Sequence, residues 1–285
     1  MGTAKTGIVI EGGGHRGIYS AGVLDVLREN NIIVDGIIGV SAGAVHGASY
    51  ASGQAGRSIR YTEKYCRDKR YMSARSFFST GDLFNVQFCY HEIPDKLDPY
   101  DYDALESSSV AFYVTCTDII TGQPVYHQCR TLRGKEMLWM QGSASMPLVS
   151  RIVETDGYKL LDGGVSDSIP LSAFEHMGYI KDIVILTQPA GYKKKENPLL
   201  PLIRIAMKKY PELVHAMETR HICYNKELEN AERQAADGAI LLIRPSEHLK
   251  VSRTEKDPEK IRGLYNLGRK DTLAQLEEVR HFLSK

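Results

Sequence analysis

The sequence predicts an α/β protein with a mainly parallel central sheet. Two observations carry this. Near the start, short apolar runs ending in glycine alternate with stretches of helical periodicity, and a strand-helix-strand-helix order at these lengths favours parallel pairing. The 285 residues, 42% hydrophobic and 25% charged, suffice for one large soluble α/β domain or two small ones.

The elements follow in order. Thr6 to Glu11 is short, apolar and ended by glycine, which predicts a buried strand. Ile18 to Asn30 places Val23, Leu24, Val26 and Leu27 at helical spacing. Gly36 to Val40 (GIIGV) predicts a second strand, and the small residues from Ala42 to Gly53 a second helix. Residues 54 to 106, more polar and aromatic, are expected to be helices joined by loops. Val110 to Thr117 predicts a strand, and Lys135 to Ser145 a helix stopped by Met146-Pro147. RIVETDGYKLLDGG predicts a hairpin, with Asp156-Gly157 as its turn signal. Asp182 to Thr187 and Ala239 to Arg244 are further apolar strands. Helices are expected from about Leu199 to Ala236 and from Thr272 to Ser284. There is no internal repeat or low-complexity tract.

Bulk properties exclude several classes. A formal net charge of +1 gives no global field for nucleic acid, so no nucleic-acid partner is expected. The cysteines, Cys66, Cys89, Cys116, Cys129 and Cys223, are odd in number and widely spaced, which argues against a disulfide framework and for a reducing, cytoplasmic setting. His127 and Cys129 are too few for a metal site, so neither metal nor cofactor is expected. No run of 18 apolar residues suggests a membrane span, and the first apolar run is too short for a signal peptide. Met1-Gly2 is an indifferent match for myristoylation.

Gly12 to Gly17 (GGGHRG) fit G-x-G-x-x-G between a strand and a helix, which alone suggests a dinucleotide loop. That reading also needs an acid at the end of the second strand, but Asp35 precedes GIIGV. The end of that strand carries Gly39-Val40-Ser41-Ala42-Gly43, a G-x-S-x-G between strand and helix. In that context the turn is expected to hold Ser41 in a strained conformation, with its hydroxyl above the sheet edge. The flanking Gly39 and Gly43 avoid clashes there. Ser41 attacking an ester would generate an oxyanion, and the side-chain-free amides of Gly12, Gly13 and Gly14 can line up against it. Arg16 either pins this loop or meets a lipid phosphate, and Gly17, the last glycine of the motif, is read with it as loop support.

A nucleophilic serine needs a base. His46 follows Ser41 by five positions on the same helix and cannot reach back to it. His15 neighbours the glycine loop as the variable position of a motif. Asp162 in LLDGG is the better candidate, with Gly163 and Gly164 permitting close approach to another backbone.

These three motifs in this order, GGGHRG, GVSAG and DGG, resemble the patatin-like phospholipase family. The stretch QGSASMPLVSRIVETDGYKLLDGGVSDSIP is similar to the family's segment leading to its aspartate. The resemblance implies a three-layer α/β/α fold and a Ser–Asp dyad. It makes Ser41 the nucleophile, Asp162 the proton acceptor and Gly12 to Gly14 the oxyanion hole. It implies a catalytic core over residues 6–190 and a mostly helical C-terminal extension, 191–285, packed on it. The expected substrate is an acyl lipid. The alternatives are an α/β-hydrolase esterase whose triad draws on His176, His215, His221 or His248, and a dinucleotide-binding or regulatory protein using the glycine loop. The segment Lys193 to Tyr210 sets lysines on both sides of an apolar run, and predicts transient, peripheral contact with a membrane surface.

Overall fold

In the computed structural model, which describes residues 5–284, β1 (Lys5–Ile10) lies inside the sheet between two parallel neighbours, β2 (Gly36–Val40) and β7 (Tyr179–Ile185). Met1-Gly2 lie outside the described residues. β3 (Ala111–Asp118) pairs parallel with β2, and β8 (Leu241–Ile243) parallel with β7. β5 (Val153–Thr155) and β6 (Tyr158–Asp162) form the expected hairpin, with Asp156 and Gly157 both at positive φ in its turn. The order is β5-β6-β3-β2-β1-β7-β8, and β4 (Pro124–Gln128) pairs antiparallel with β3.

Alternation along the parallel strands separates two cores. Ile8, Ile10, Ile37, Ile183 and Ile185 enter one cluster, while Val9, Ile38 and Val184 enter another on the opposite face. The first is covered by α1 (Ile18–Glu29), α2 (Ala42–Ala51), α3 (Arg57–Tyr65), α6 (Met137–Ser143) and α10 (Pro258–Ala274). The second is covered by α7 (Leu171–His176) and α9 (Pro211–Ala236). Helices on both faces make the three layers α/β/α.

Residues 54 to 106 hold α3, α4 (Ala74–Thr80), a π-helical segment at Phe88–Leu97 and α5 (Tyr102–Glu106). Tyr61, Tyr65, Tyr71, Met72, Phe88 and Ile93 give this stretch a small core of its own.

Three elements differ from the sequence reading. β4 was not expected, because its side chains are only half buried and leave no clear alternation. α7 follows Pro170 and is too short to establish a period. The last helix begins far earlier than Thr272, at Pro258, where the Asp257 side chain accepts the Glu259 N–H at 3.1 Å. That aspartate-proline start is a readable cap signal. The helix then breaks at Gln275 before α11 (Leu276–Ser284).

α10 is bound closely to α1. A Cβ added at Gly268 would stand 2.2 Å from the Tyr19 carbonyl oxygen, and one at Gly22 would stand 2.2 Å from that of Tyr265. The two backbones touch at reciprocal glycines. Flanking them, the Tyr19 hydroxyl donates to Asp271 at 3.0 Å and the Tyr265 hydroxyl to Asp25 at 2.7 Å. Gly268→Val should therefore lower stability by about 1–3 kcal/mol through overpacking. Gly263→Ala, on the same helix with open space around its Cβ, should raise it by up to about 1 kcal/mol. Urea unfolding of both variants checks this, and equal midpoints would contradict the packing.

Candidate active site

β2 delivers Ser41 to the sheet's carboxyl edge and α2 begins at once behind it. Ser41 has φ 55° and ψ −124°, a region costing a non-glycine residue on the order of 1–3 kcal/mol. The turn can be this tight because Gly43 has no side chain: a Cβ there would lie 2.6 Å from the Ile10 carbonyl oxygen. Gly39 is pressed against the Ala44 amide in the same way. The Ser41 amide donates to Ser143 Oγ at 3.0 Å, and Ser143 in turn donates to the Thr115 carbonyl at 2.7 Å. Thus α6 and β3 hold the strained residue in place.

β6 brings Asp162 to the same edge, paired with Cys116 of β3. Its amide donates to the Ser145 carbonyl at 2.7 Å. Ser41 Oγ donates to Asp162 Oδ2 at 2.6 Å, and the Gly164 amide donates to Asp162 Oδ1 at 2.8 Å. Gly163 packs directly on the Thr115 carbonyl, and Arg220 Nε of α9 donates to the Gly164 carbonyl. Burial raises the Asp162 carboxyl above its ordinary range. The Ser41 hydrogen bond, the Arg220 charge and the Gly164 amide oppose that rise without cancelling it.

The glycine loop crosses the mouth of this pair. A Cβ on Gly12 would stand 2.9 Å from the Val40 carbonyl oxygen and 3.0 Å from Ser41 Cβ. Among the described residues the amides of Gly12, Gly13 and Gly14 donate to no protein acceptor. The loop's outer side is fixed by His15, whose amide donates to the Arg253 carbonyl at 3.0 Å. Arg16 is held by Gln188: with that amide oriented by its partners, its oxygen accepts from Arg16 Nη1 at 3.0 Å and Nη2 at 3.2 Å. Gly17 lies tight against Ala42 and so seats α1 on α2.

The other sequence candidates fall elsewhere. Among the described residues no histidine hydrogen-bonds Ser41. Buried His46 is pushed down to about 3 and stays neutral. His15 is enclosed by Tyr71 and Phe84, with Nδ1 2.6 Å from the Glu255 carbonyl. Exposed His176 contacts the Ser172 carbonyl at 2.5 Å. Asp35 accepts from the Thr6 amide at 2.7 Å and its hydroxyl at 2.9 Å, at the strand end opposite the glycine loop. It is thus misplaced for a ribose, and the dinucleotide reading fails there. His127, Cys129 and Glu136 bring three potential metal donors within 4.8 Å of one another. However, His127 and Glu136 already pair at 2.8 Å, burial keeps the Cys129 thiol protonated, and none of the three borders the cavities at Ser41.

Ser41 stands where two cavities meet. One is apolar, lined by residues including Ile18, Val45, Tyr71, Ile93, Met137 and Met140. The other, polar by comparison, sets Asp162, the glycine loop, Arg16, Lys194, Arg220 and Arg253 beside apolar side chains such as Leu148, Ile203 and Met217. Sequence reasoning missed Arg220 and Arg253, which no motif marks, and the roles of Ser143, which lies in the stretch QGSASMPLVS, and Lys194, which it read as part of the membrane-facing Lys193–Tyr210 segment.

Residues 8–175 match the patatin-like phospholipase family, and residues 210–284 match a domain of unknown function, DUF6363. The chain belongs to the patatin-like phospholipase family. It is 27% identical to YjjU of Escherichia coli over 191 residues, covering 65% of this chain and 53% of that protein. It is 26% identical to an NTE family protein of Mycobacterium bovis over 168 residues, covering 59% of this chain and 45% of that one. Similarity also extends to lysophospholipase nte1 of Aspergillus terreus, at 26% over 85% of this chain and 16% of that protein. The chain spans about half the length of the first two relatives.

Proposed function

We propose that the protein is a serine hydrolase that cleaves carboxylic esters of acyl lipids. The observation that carries this is the 2.6 Å contact from Ser41 Oγ to buried Asp162, at the junction of an apolar and a polar cavity. The lysophospholipase name of the Aspergillus relative supports the same substrate class.

In this reading the acyl chain lies in the apolar cavity and its carbonyl over Ser41. Oγ attacks the carbonyl carbon while its proton passes to Asp162 Oδ2. An ordinary aspartate, with a pKa of about 3.9, is a weak base toward an alcohol. Burial strengthens Asp162, and each pKa unit gained is worth about 1.36 kcal/mol. The negative charge on the tetrahedral oxygen is received by the free amides of Gly12 to Gly14, each such donor worth roughly 2.7–4 kcal/mol. Collapse breaks the ester C–O bond, and the leaving alcohol takes the proton from Asp162. Water, deprotonated by Asp162, then attacks the Ser41 ester and releases the fatty acid. No cation enters any step.

Residues 191–285 are read as the C-terminal unit of this enzyme, adding α9, α10 and the edge strand β8 to the core of residues 6–190. One part faces outward. On α8 (Leu200–Ala206), Leu200 and Ile203 pack inward while Leu202, Ile205 and the preceding Leu199 are 52%, 72% and 53% exposed. Exposed Lys193, Lys195, Lys208 and Lys209 flank them, and Leu199 also borders the polar cavity. This face is suited to resting on an anionic membrane beside the site entrance.

Ser41→Ala and Asp162→Asn should each fold and lose at least about 10³-fold in kcat/KM for p-nitrophenyl esters and lysophospholipids. Retention of a tenth of the activity by either variant would contradict the proposal. In liposome flotation, Leu202→Glu with Ile205→Glu should weaken binding to vesicles rich in phosphatidylglycerol by about tenfold or more, and salt should weaken wild-type binding. Binding indifferent to salt and to this substitution would rule out the contact.

A further inference from the structure

The polar cavity holds more positive charge than the ester chemistry requires. Arg16, Lys194, Arg220 and Arg253 all border it, together with Ser41. Among the described residues none of these four forms an ion pair with a carboxylate, whereas other cations of the chain, such as Arg204 and Arg262, do. The carboxylates bordering the cavity are already committed. Glu11 accepts from the Thr187 amide at 2.6 Å, the Thr187 hydroxyl at 3.0 Å and the Tyr224 hydroxyl at 2.9 Å. Asp162 is held by Ser41 and Gly164.

Arg16, Lys194 and Arg220 are held by neighbouring groups, Arg16 through the Gln188 amide oxygen. Asn225 clamps the Lys194 backbone on both sides, accepting its amide at 2.9 Å and donating to its carbonyl at 3.0 Å. The Lys194 ammonium lies 3.8 Å from the centre of the Tyr224 ring. Arg220 is anchored through Nε to the Gly164 carbonyl. Arg253 is exposed at the cavity, and its backbone is held against the glycine loop, the carbonyl accepting from the His15 amide. Crowding has an electrostatic consequence: burial, with Arg220 and Arg253 nearby, pushes Lys194 down to about 7. A bound anion would relieve that repulsion.

We propose that Arg16, Lys194, Arg220 and Arg253 form a phosphate subsite that selects acyl esters carrying a phosphate group next to the scissile ester. The proposal rests on the reading of Ser41 as the nucleophile. It gives residues 191–285, which include the stretch matching a domain of unknown function, a defined role, since three of the four cations come from there. A phosphate ester, with one or two negative charges and several acceptor oxygens, matches a cluster of guanidinium and ammonium donors. An uncharged glycerol ester offers those four cations no charge to bind.

The test compares two water-soluble substrates that differ by one phosphate, decanoyl lysophosphatidic acid and monodecanoylglycerol. Short chains keep membrane binding out of the measurement. The wild type should prefer the phosphate ester by at least about tenfold in kcat/KM, and Lys194→Gln with Arg253→Gln should reduce that ratio by about tenfold or more. Separately, calorimetric titration of Ser41→Ala should show glycerol 3-phosphate binding that weakens by about tenfold in Ser41→Ala carrying the same two changes. Inorganic phosphate should bind the same site more weakly. Tighter binding of inorganic phosphate than of glycerol 3-phosphate would overturn selection of an ester headgroup. A ratio unchanged by the double variant, or titration heats unchanged by it, would overturn the subsite. If the wild type hydrolyses neither substrate nor any p-nitrophenyl ester, the hydrolase reading fails, and the titration still decides the subsite.

Discussion

The hydrogen bond from Ser41 to Asp162 joins residues 121 positions apart and sets the requirements for the rest of the site. To make it, β2 and β6 must end at the same sheet edge, separated by β3. The serine must leave its strand at positive φ, and the aspartate must be buried without losing donors to both oxygens. These requirements are met by close backbone approach at glycines and by one side chain. Gly43 lets α2 pass over the end of β1, Gly12 lets the glycine loop approach Ser41, and Ser143 binds the strained amide. A side chain at either glycine would force the neighbouring backbone to shift, at Gly12 directly beside Ser41.

Around this bond the protein divides two kinds of surface. Residues 54 to 106 enclose the apolar side, contributing aromatic residues such as Tyr61 and Tyr71 to its wall. The C-terminal residues supply cations to the polar side. The contact of α1 with α10 at Gly22 and Gly268 draws the C-terminal segment onto the first helix after the glycine loop. The same segment contacts the loop itself through the Arg253 carbonyl and His15. The C-terminal segment therefore touches both the glycine loop, whose amides are unpartnered among the described residues, and the helix that follows it.

Much of this was legible in the sequence where local chemistry fixed it. Glycine marked GGGHRG, GVSAG and DGG because close approach leaves no alternative residue, and the GIIGV and IVIEGG runs announced buried parallel strands. The hairpin at Asp156-Gly157 was readable because its turn needs positive φ. β4 escaped because a half-buried strand of mixed polarity has no period. α10 escaped although Asp257-Pro258 begins it. Its inward face includes Gly268 and Asp271 among apolar residues, which breaks the apolar stripe that would have announced it. The roles of Ser143 and of the cations at 194, 220 and 253 escaped for a different reason. Their significance lies in what they meet in space, and an arginine within METRHICYNKE looks like any solvated helix residue.

The pH dependence of phosphonylation of Ser41 by a fluorophosphonate tests the Ser41–Asp162 account most directly, because it isolates activation of the hydroxyl from lipid binding. Asp162 must be ionised to accept the proton, and its burial raises its pKa, so the rate should be lost as pH falls through that raised value. The acid limb should then lie above the ordinary aspartate value of about 3.9. It should vanish, with the rate uniformly low, in Asp162→Asn, and it should persist in separate replacements of His15, His46, His176, His215, His221 and His248. An acid limb that survives in Asp162→Asn, or that disappears with any one of those histidines in a folded variant, would contradict it.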